Sequence, residues 1–170
     1  MPRFDPGTAT CELFTFREGL LAAAGHDLKL RATRFELEVT RDSVRARFEA
    51  ASLRVVAALR GGREDPAALS ERDRQEIEQT CAGEVLEAHR FPEISFVSSQ
   101  VGPGRVSGTL SLHGRDLQGD FAVRQVERRA VAEVELDVRR FDIRPYTAML
   151  GALRVQPRVL VVVTTPWPDV

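Results

Sequence analysis

Three histidines, His26, His89 and His113, and two cysteines, Cys11 and Cys81, are the side chains best suited to metal binding or nucleophilic chemistry, and they lie in separate segments. No CxxC, HExxH, GxSxG, P-loop or GxGxxG spacing joins them to each other or to a carboxylate. Neither a metal site nor a catalytic apparatus is therefore expected. His26 has Asp27 beside it and shares the apolar register of Leu28 and Leu30, so it is expected as a hydrogen-bonded histidine at the rim of the fold. His89 precedes Phe91-Pro92 and is expected to anchor the exit of a helix. His113 falls on a polar face at a turn and is expected to be exposed. Glu36/Glu38 and Glu133/Glu135/Asp137 recur at every second position, which places them on outward strand faces rather than in a catalytic pair. Cys11 and Cys81, without a partner spacing, are expected as small core residues.

The elements that carry these residues alternate with a period of two, the pattern of strands with one buried face. Phe35, Leu37 and Val39 alternate with Glu36, Glu38 and Thr40. After a turn at Asp42-Ser43, Val44, Ala46, Phe48 and Ala50 alternate with Arg45, Arg47 and Glu49. Val106, Gly108, Leu110 and Leu112 form another set. Beyond a turn placed at Gly114-Arg115-Asp116 come Leu117, Gly119, Phe121 and Val123, and then Ala132, Val134, Leu136 and Val138. Phe14 with Phe16, Ile94 with Phe96, and the β-branched run Val159 to Thr165 add strands, and Gly102-Pro103-Gly104 supplies a further turn. The count is about eight or nine strands, enough to close a small barrel and remove its edges. One helix interrupts them at about residues 69–88. Ser70 and Asp73 have capping-box spacing there, Ile77, Cys81 and Val85 form a stripe, and Gly83 is a point of interruption.

The chain has 24 basic and 25 acidic residues, a net charge of −1, and Lys29 is its only lysine. That balance argues against a nucleic-acid binder. No apolar run approaches the roughly 20 residues of a membrane-spanning helix. Met1 to Gly7 shows no apolar segment behind a basic start, so a cytoplasmic location is expected. A single domain over residues 1–170 fits the length. Aromatics are few, with nine Phe, one Tyr and one Trp.

The stretch Glu84 to Phe96, with His89-Arg90-Phe91-Pro92-Glu93-Ile94-Ser95-Phe96 at its end, resembles the helix exit and F/Y-P-x-I-x-F strand entry of the YceI-like family. Val106-Ser107-Gly108-Thr109-Leu110-Ser111-Leu112-His113-Gly114 is similar to the family's V-x-G-x-L-x-(I/L)-x-G hairpin. Asp5-Pro6, Ala24-Gly25-His26-Asp27-Leu28, Arg140-Phe141-Asp142-Ile143 and Leu150-Gly151 follow in matching order, so the resemblance spans almost the whole chain. It implies an all-β fold: an antiparallel, eight-stranded, lipocalin-like β-barrel with one inserted α-helix near its mouth. It also implies a non-catalytic role, without cofactor, in binding a polyisoprenoid. Members of the family are often periplasmic and can pair as dimers.

An isoprenoid, an isoprenoid quinone or a fatty-acyl chain is the implied ligand. Each methylene buried in such a barrel would contribute about 0.8 kcal/mol. The expected lining combines the apolar faces with the resemblance: Phe14, Phe16, His26, Leu28, Phe35 and Leu37 from the first strands; Phe48, Phe96, Leu110, Leu112 and Phe121 from the middle; Leu136 and Phe141 near the end. Tyr146, Met149 and Leu150, in the irregular segment before the last strand, are expected to gate the mouth. Small residues at Ala46, Gly108, Gly119 and Ala132 leave room for a ligand or let the barrel collapse into a packed core. The alternative reading is thus a ligand-free structural or protein-interaction module, as a homodimer built on the helix or an outer strand.

Overall fold

The computed structural model describes residues 2–18, 25–148, 151 and 153–168. Its strands are β1 (Arg3–Phe4), β2 (Thr10–Glu18), β3 (Asp27–Ala32), β4 (Phe35–Val39), β5 (Val44–Glu49), β6 (Leu53–Arg60), β7 (Arg63–Asp65), β8 (Glu93–Gly102), β9 (Arg105–Leu112), β10 (Arg115–Val126), β11 (Arg129–Asp137), β12 (Thr147–Ala148) and β13 (Leu153–Pro166). They pair antiparallel in the order β1-β4-β5-β8-β9-β10-β11-β13-β2-β3-β6-β7, with β12 on β13. The result is a curled antiparallel sheet with a single helix. The strand count is thirteen rather than eight, and the pairs near the two ends of the order, β4-β5 and β3-β6, are successive halves of the same stretch of chain.

Three of the extra strands, β1, β7 and β12, are pieces of two or three residues, and the other two have a local cause. A 3-10 turn at Ala50–Ser52 separates β5 from β6, and Thr33-Arg34 separates β3 from β4 directly opposite. The two breaks are stitched together: Thr33 donates from N and Oγ1 to Ser52 O at 3.0 and 2.7 Å, and Glu49 N donates to Arg34 O at 3.0 Å. One long hairpin therefore bends at its middle and passes from one half of the sheet to the other. Small residues at the bend allow it, since Ala50 and Ser52 are both buried there.

Register carries the alternation across the sheet. One rung runs Phe4–Leu37–Ala46–Phe96–Leu110–Leu117 over six strands, all on the inner face. A second runs Val134–Val161–Leu13–Leu30–Val55. Leu30, 2% exposed, is the largest fully buried side chain. Burying a leucine to that degree contributes about 2 kcal/mol. Beside the first rung, charged residues alternate on β4 and β5: Glu36 faces Arg47, and Glu38 faces Arg45.

Helix α1 (Glu71–Thr80) begins with a complete capping box, Asp73 taking the place of the usual Glu: Asp73 N donates to Ser70 Oγ and Ser70 N to Asp73 Oδ2. It runs into a wide turn over Cys81–Val85, where Leu86 N donates to Cys81 O five residues back, and Gly83 sits inside that turn. The helix packs beside the part of β6 that β7 leaves unpaired, where Glu78 accepts from Val55 N at 3.0 Å.

Candidate functional site

The inner face gathers into two clusters. In the first, Ala9, Cys11, Ala32, Phe35, Leu37 and Ala46 are buried, with Phe48 and Phe96 packed against them. Four of the expected lining residues, Phe35, Leu37, Phe48 and Phe96, thus belong to a packed core. Burial pushes the Cys11 thiol up to about 12 and the Cys81 thiol to about 11, and neither cysteine is in a disulfide. Thiols held protonated in this way are poor nucleophiles at neutral pH.

In the second cluster, Leu112, Phe141 and Ile143 are buried against Val85, Leu86, Ile94, Leu110, Leu117, Leu136 and Val138. Here the wall splits. β10 and β11 pair only from Val123↔Ala132 to Val126↔Arg129, although β10 reaches back to Arg115 and β11 runs on to Asp137. Val123 N donates to Gly104 O on the β9 side. By the alternation of a strand, the backbone groups of Gln118 and Asp120 face the gap instead. A cavity of about 70 Å³ occupies the gap, lined by Leu110, Leu117, Gly119, Phe121, Leu136 and Phe141, with Gln118, Glu135, Asp137 and Arg140 at its polar side. Leu110, Phe121, Leu136 and Phe141 are the expected lining residues brought together at this cavity.

Two glycines shape it. Gly108 and Gly119 face each other across β9 and β10. A Cβ at Gly108 would overlap the β8 backbone at Val97 and Ser98 as well as the Phe96 ring, and one at Gly119 would overlap the Phe121 ring. The two rings meet edge to face with centroids 5.7 Å apart. The space over Gly119 is therefore filled by the Phe121 ring, and that over Gly108 by the β8 backbone and the Phe96 ring.

The 138–141 turn closes the cavity from below, and side chains pin it. Asp137 accepts from Arg139 N, Nε and Nη2, and the Arg139 guanidinium holds its carboxyl below the usual carboxylate range. Asp142, in the left-handed region at φ 56°, pairs with Arg115 at 2.7 Å, which lowers its pKa. His113 Nδ1 lies 3.0 Å from Phe141 O and its Nε2 2.7 Å from Glu87 Oε2. Its ring sits against Phe91, centroids 4.5 Å apart. Arg90, 3.0 Å from Glu87, holds that carboxyl below the usual range, with His113 as the second cause.

Several expectations are corrected. His113 is buried, its side chain 8% exposed, because the β9–β10 loop is His113-Gly114 rather than the Gly114–Asp116 turn, and both residues have positive φ. Two such residues make the tight hairpin turn that matches sheet twist. His89 is exposed, and Glu87 and Phe91 do the anchoring at the helix exit. His26 is exposed and lies outside the strands, while Asp27 Oδ1 accepts from Arg17 N at 2.9 Å. Phe14 and Phe16 occupy the outer face: Phe14 shares its rung with Glu135, Leu160, Lys29 and Ala57. Lys29 Nζ stands 5.9 Å from the Phe14 ring and the Arg158 guanidinium 4.5 Å from the Phe16 ring. Cations over aromatic faces make such half-buried rings on the outer face tolerable. Leu28 is half-buried, Tyr146 is 41% exposed, and Ala24, Met149 and Leu150 lie outside the described residues.

A larger cleft, about 440 Å³, lies between α1 and β6, lined by Val55, Leu69, Glu71, Arg74, Gln75 and Glu78. Arg74 donates Nη2 to Pro66 O at 3.4 Å, while its buried Nε has no partner. With four polar side chains in six, this cleft lacks an apolar wall. Among the described residues, no group of three or more His, Cys, Asp or Glu could hold a metal, and no helix is long and apolar enough to cross a membrane.

Solved structures share this fold. The Burkholderia cenocepacia protein BcnA superposes with a TM-score of 0.59 at 14% identity, covering 95% of this chain and 98% of that one. A polyisoprenoid-binding domain from Saccharophagus degradans, implicated in plant cell wall breakdown, gives 0.59 at 11% identity over 98% and 97%. A mutant CJ YceI protein with a monobromobimane guest gives 0.52 at 12% identity over 84% and 86%. No curated protein matches the chain. The YceI-like domain matches residues 8–165, and the chain belongs to that family.

Proposed function

We propose that this is a non-catalytic binding protein that holds an apolar chain, such as an isoprenoid, an isoprenoid quinone or a fatty-acyl tail, at the gap between β10 and β11. One observation carries the reading. Apolar side chains of β9, β10, β11 and the 138–141 turn converge on a cavity just where the wall lacks its ladder. The polyisoprenoid-binding domain with the same fold supports the ligand class. At about 70 Å³ the empty cavity has room for only a few heavy atoms. A longer chain enters by turning Phe121 off Gly119, exchanging ring contacts for chain contacts of similar apolar character. Tail burial at about 0.8 kcal/mol per methylene then dominates affinity. Two free thiols support a reducing compartment, and we assign the protein to the cytoplasm on that basis.

Solvent extraction of the purified protein followed by mass spectrometry, with added geranylgeraniol as a second arm, tests this. Retained lipid or saturable uptake is the expected result. Neither retained lipid nor uptake would favour the ligand-free interaction module, for which the packed first cluster speaks.

A further inference from the structure

Both ring nitrogens of His113 face acceptors, the Phe141 carbonyl and the Glu87 carboxylate. A neutral imidazole has one N–H and can satisfy only one of them, whereas the imidazolium satisfies both. The two contacts join segments far apart in the chain: the turn after the helix, the β9–β10 hairpin and the turn that carries Phe141 into the cavity wall. Resting on the reading of that cavity as the ligand site, we propose that His113 is a charge-dependent latch on it. With both nitrogens protonated, the ring ties the Phe141 turn to the Glu87 segment. After losing one proton it releases one tie, and the cavity wall loosens.

The surrounding charges fit this role. Glu87 is also bound by Arg90, whose guanidinium lies 4.9 Å from the Phe91 ring centroid. On the other side stand Asp142, paired with Arg115, and Arg139, paired with Asp137, while Arg140 lines the cavity. Glu84 and His89 on the helix-exit segment are exposed. Glu87 and Asp142 are both held below the ordinary carboxylate range, so they remain anionic while the ring is a cation. The latch is therefore complete while the ring is a cation beside the anionic Glu87, and it opens when the ring loses a proton. His113 acts as a positioning residue through Phe141 and does not touch the ligand.

The test uses the full chain with N-phenyl-1-naphthylamine as the apolar probe, its dissociation rate followed by stopped-flow fluorescence at pH 5.5 and 8. Loss of one charge-assisted hydrogen bond makes release about tenfold faster at pH 8. His113→Gln should show no such ratio, while His89→Gln should keep it. Glu87→Gln supplies an amide N–H to the neutral ring, so it should release slowly at both pH values. A second readout needs no ligand: exchange protection of the Asp142 and Ile143 amides, corrected for base catalysis, should fall about tenfold over the same range in the native chain. Unchanged protection, or a pH ratio retained in His113→Gln, would overturn the latch. Absence of probe binding with protection still falling would leave the latch standing and remove the ligand reading instead.

Discussion

Two regions of one curled sheet show what period-two alternation can and cannot do. Where β1 meets β4, inner side chains from both halves of the sheet close on one another, and Cys11, Phe35, Leu37 and Ala46 are all buried. Where β10 leaves β11, the same alternation continues through Leu117, Gly119, Phe121, Val134 and Leu136, yet the backbones part and a cavity remains. The first region is held by continuous ladders and packing. The second is held by side-chain ties from His113, Arg115 and Arg139 to the Phe141 turn and its borders. Alternation selects a face, and continuity of pairing decides whether that face becomes core or site.

Core truncations should break the symmetry most. Leu37→Ala removes a side chain only 3% exposed and should cost about 2–5 kcal/mol in urea denaturation. Leu110→Ala, at a half-buried position, should cost less, about 1–2 kcal/mol. Equal losses at the two positions would contradict the distinction between packed core and cavity. Gly119→Val drives a side chain into the Phe121 ring and should destabilise by about 1–3 kcal/mol while abolishing apolar-probe uptake.

Acid should sharpen the contrast. Arg90 with His113 lowers Glu87, Arg139 lowers Asp137 and Arg115 lowers Asp142. A depressed folded pKa adds stability above the unfolded value, and that stability is lost as pH falls through the folded value. Below about pH 4, hydrogen exchange should therefore rise first at residues 137–143 and later in β4 and β5. Uniform loss of protection would contradict it. The smallest effect expected is on thiol chemistry: Cys11, raised to about 12 by burial, should react with a maleimide more slowly than Cys81, raised to about 11.

Much of this was legible in the residues. The alternations at 35–40, 44–50, 106–112 and 132–138 are inner and outer faces in the structure, and the Ser70–Asp73 spacing is a true cap. Phe14 and Phe16 misled because β2 has apolar side chains on both faces. Cys11 and Leu13 face inward, and the cations that shelter the phenylalanines come from β3 and β13. The gap was invisible for a different reason. Nothing in the pattern of residues 132–138 records that their neighbour strand has left, since pairing is a property of two distant segments. His113 was missed because its partners, Glu87 and Phe141, are 26 and 28 residues away. A His-Gly pair flanked by alternating strands was the available signal, since both residues tolerate positive φ.

The placement of an apolar chain at the β10/β11 gap is tested most directly by photocrosslinking. A diazirine-bearing geranylgeraniol analogue, bound to the full chain and irradiated, can be mapped by peptide mass spectrometry. Adducts are expected on residues 117–121 and 135–141. Adducts confined to Phe14 and Phe16 on the outer face, or to the cleft between α1 and β6, would contradict that placement.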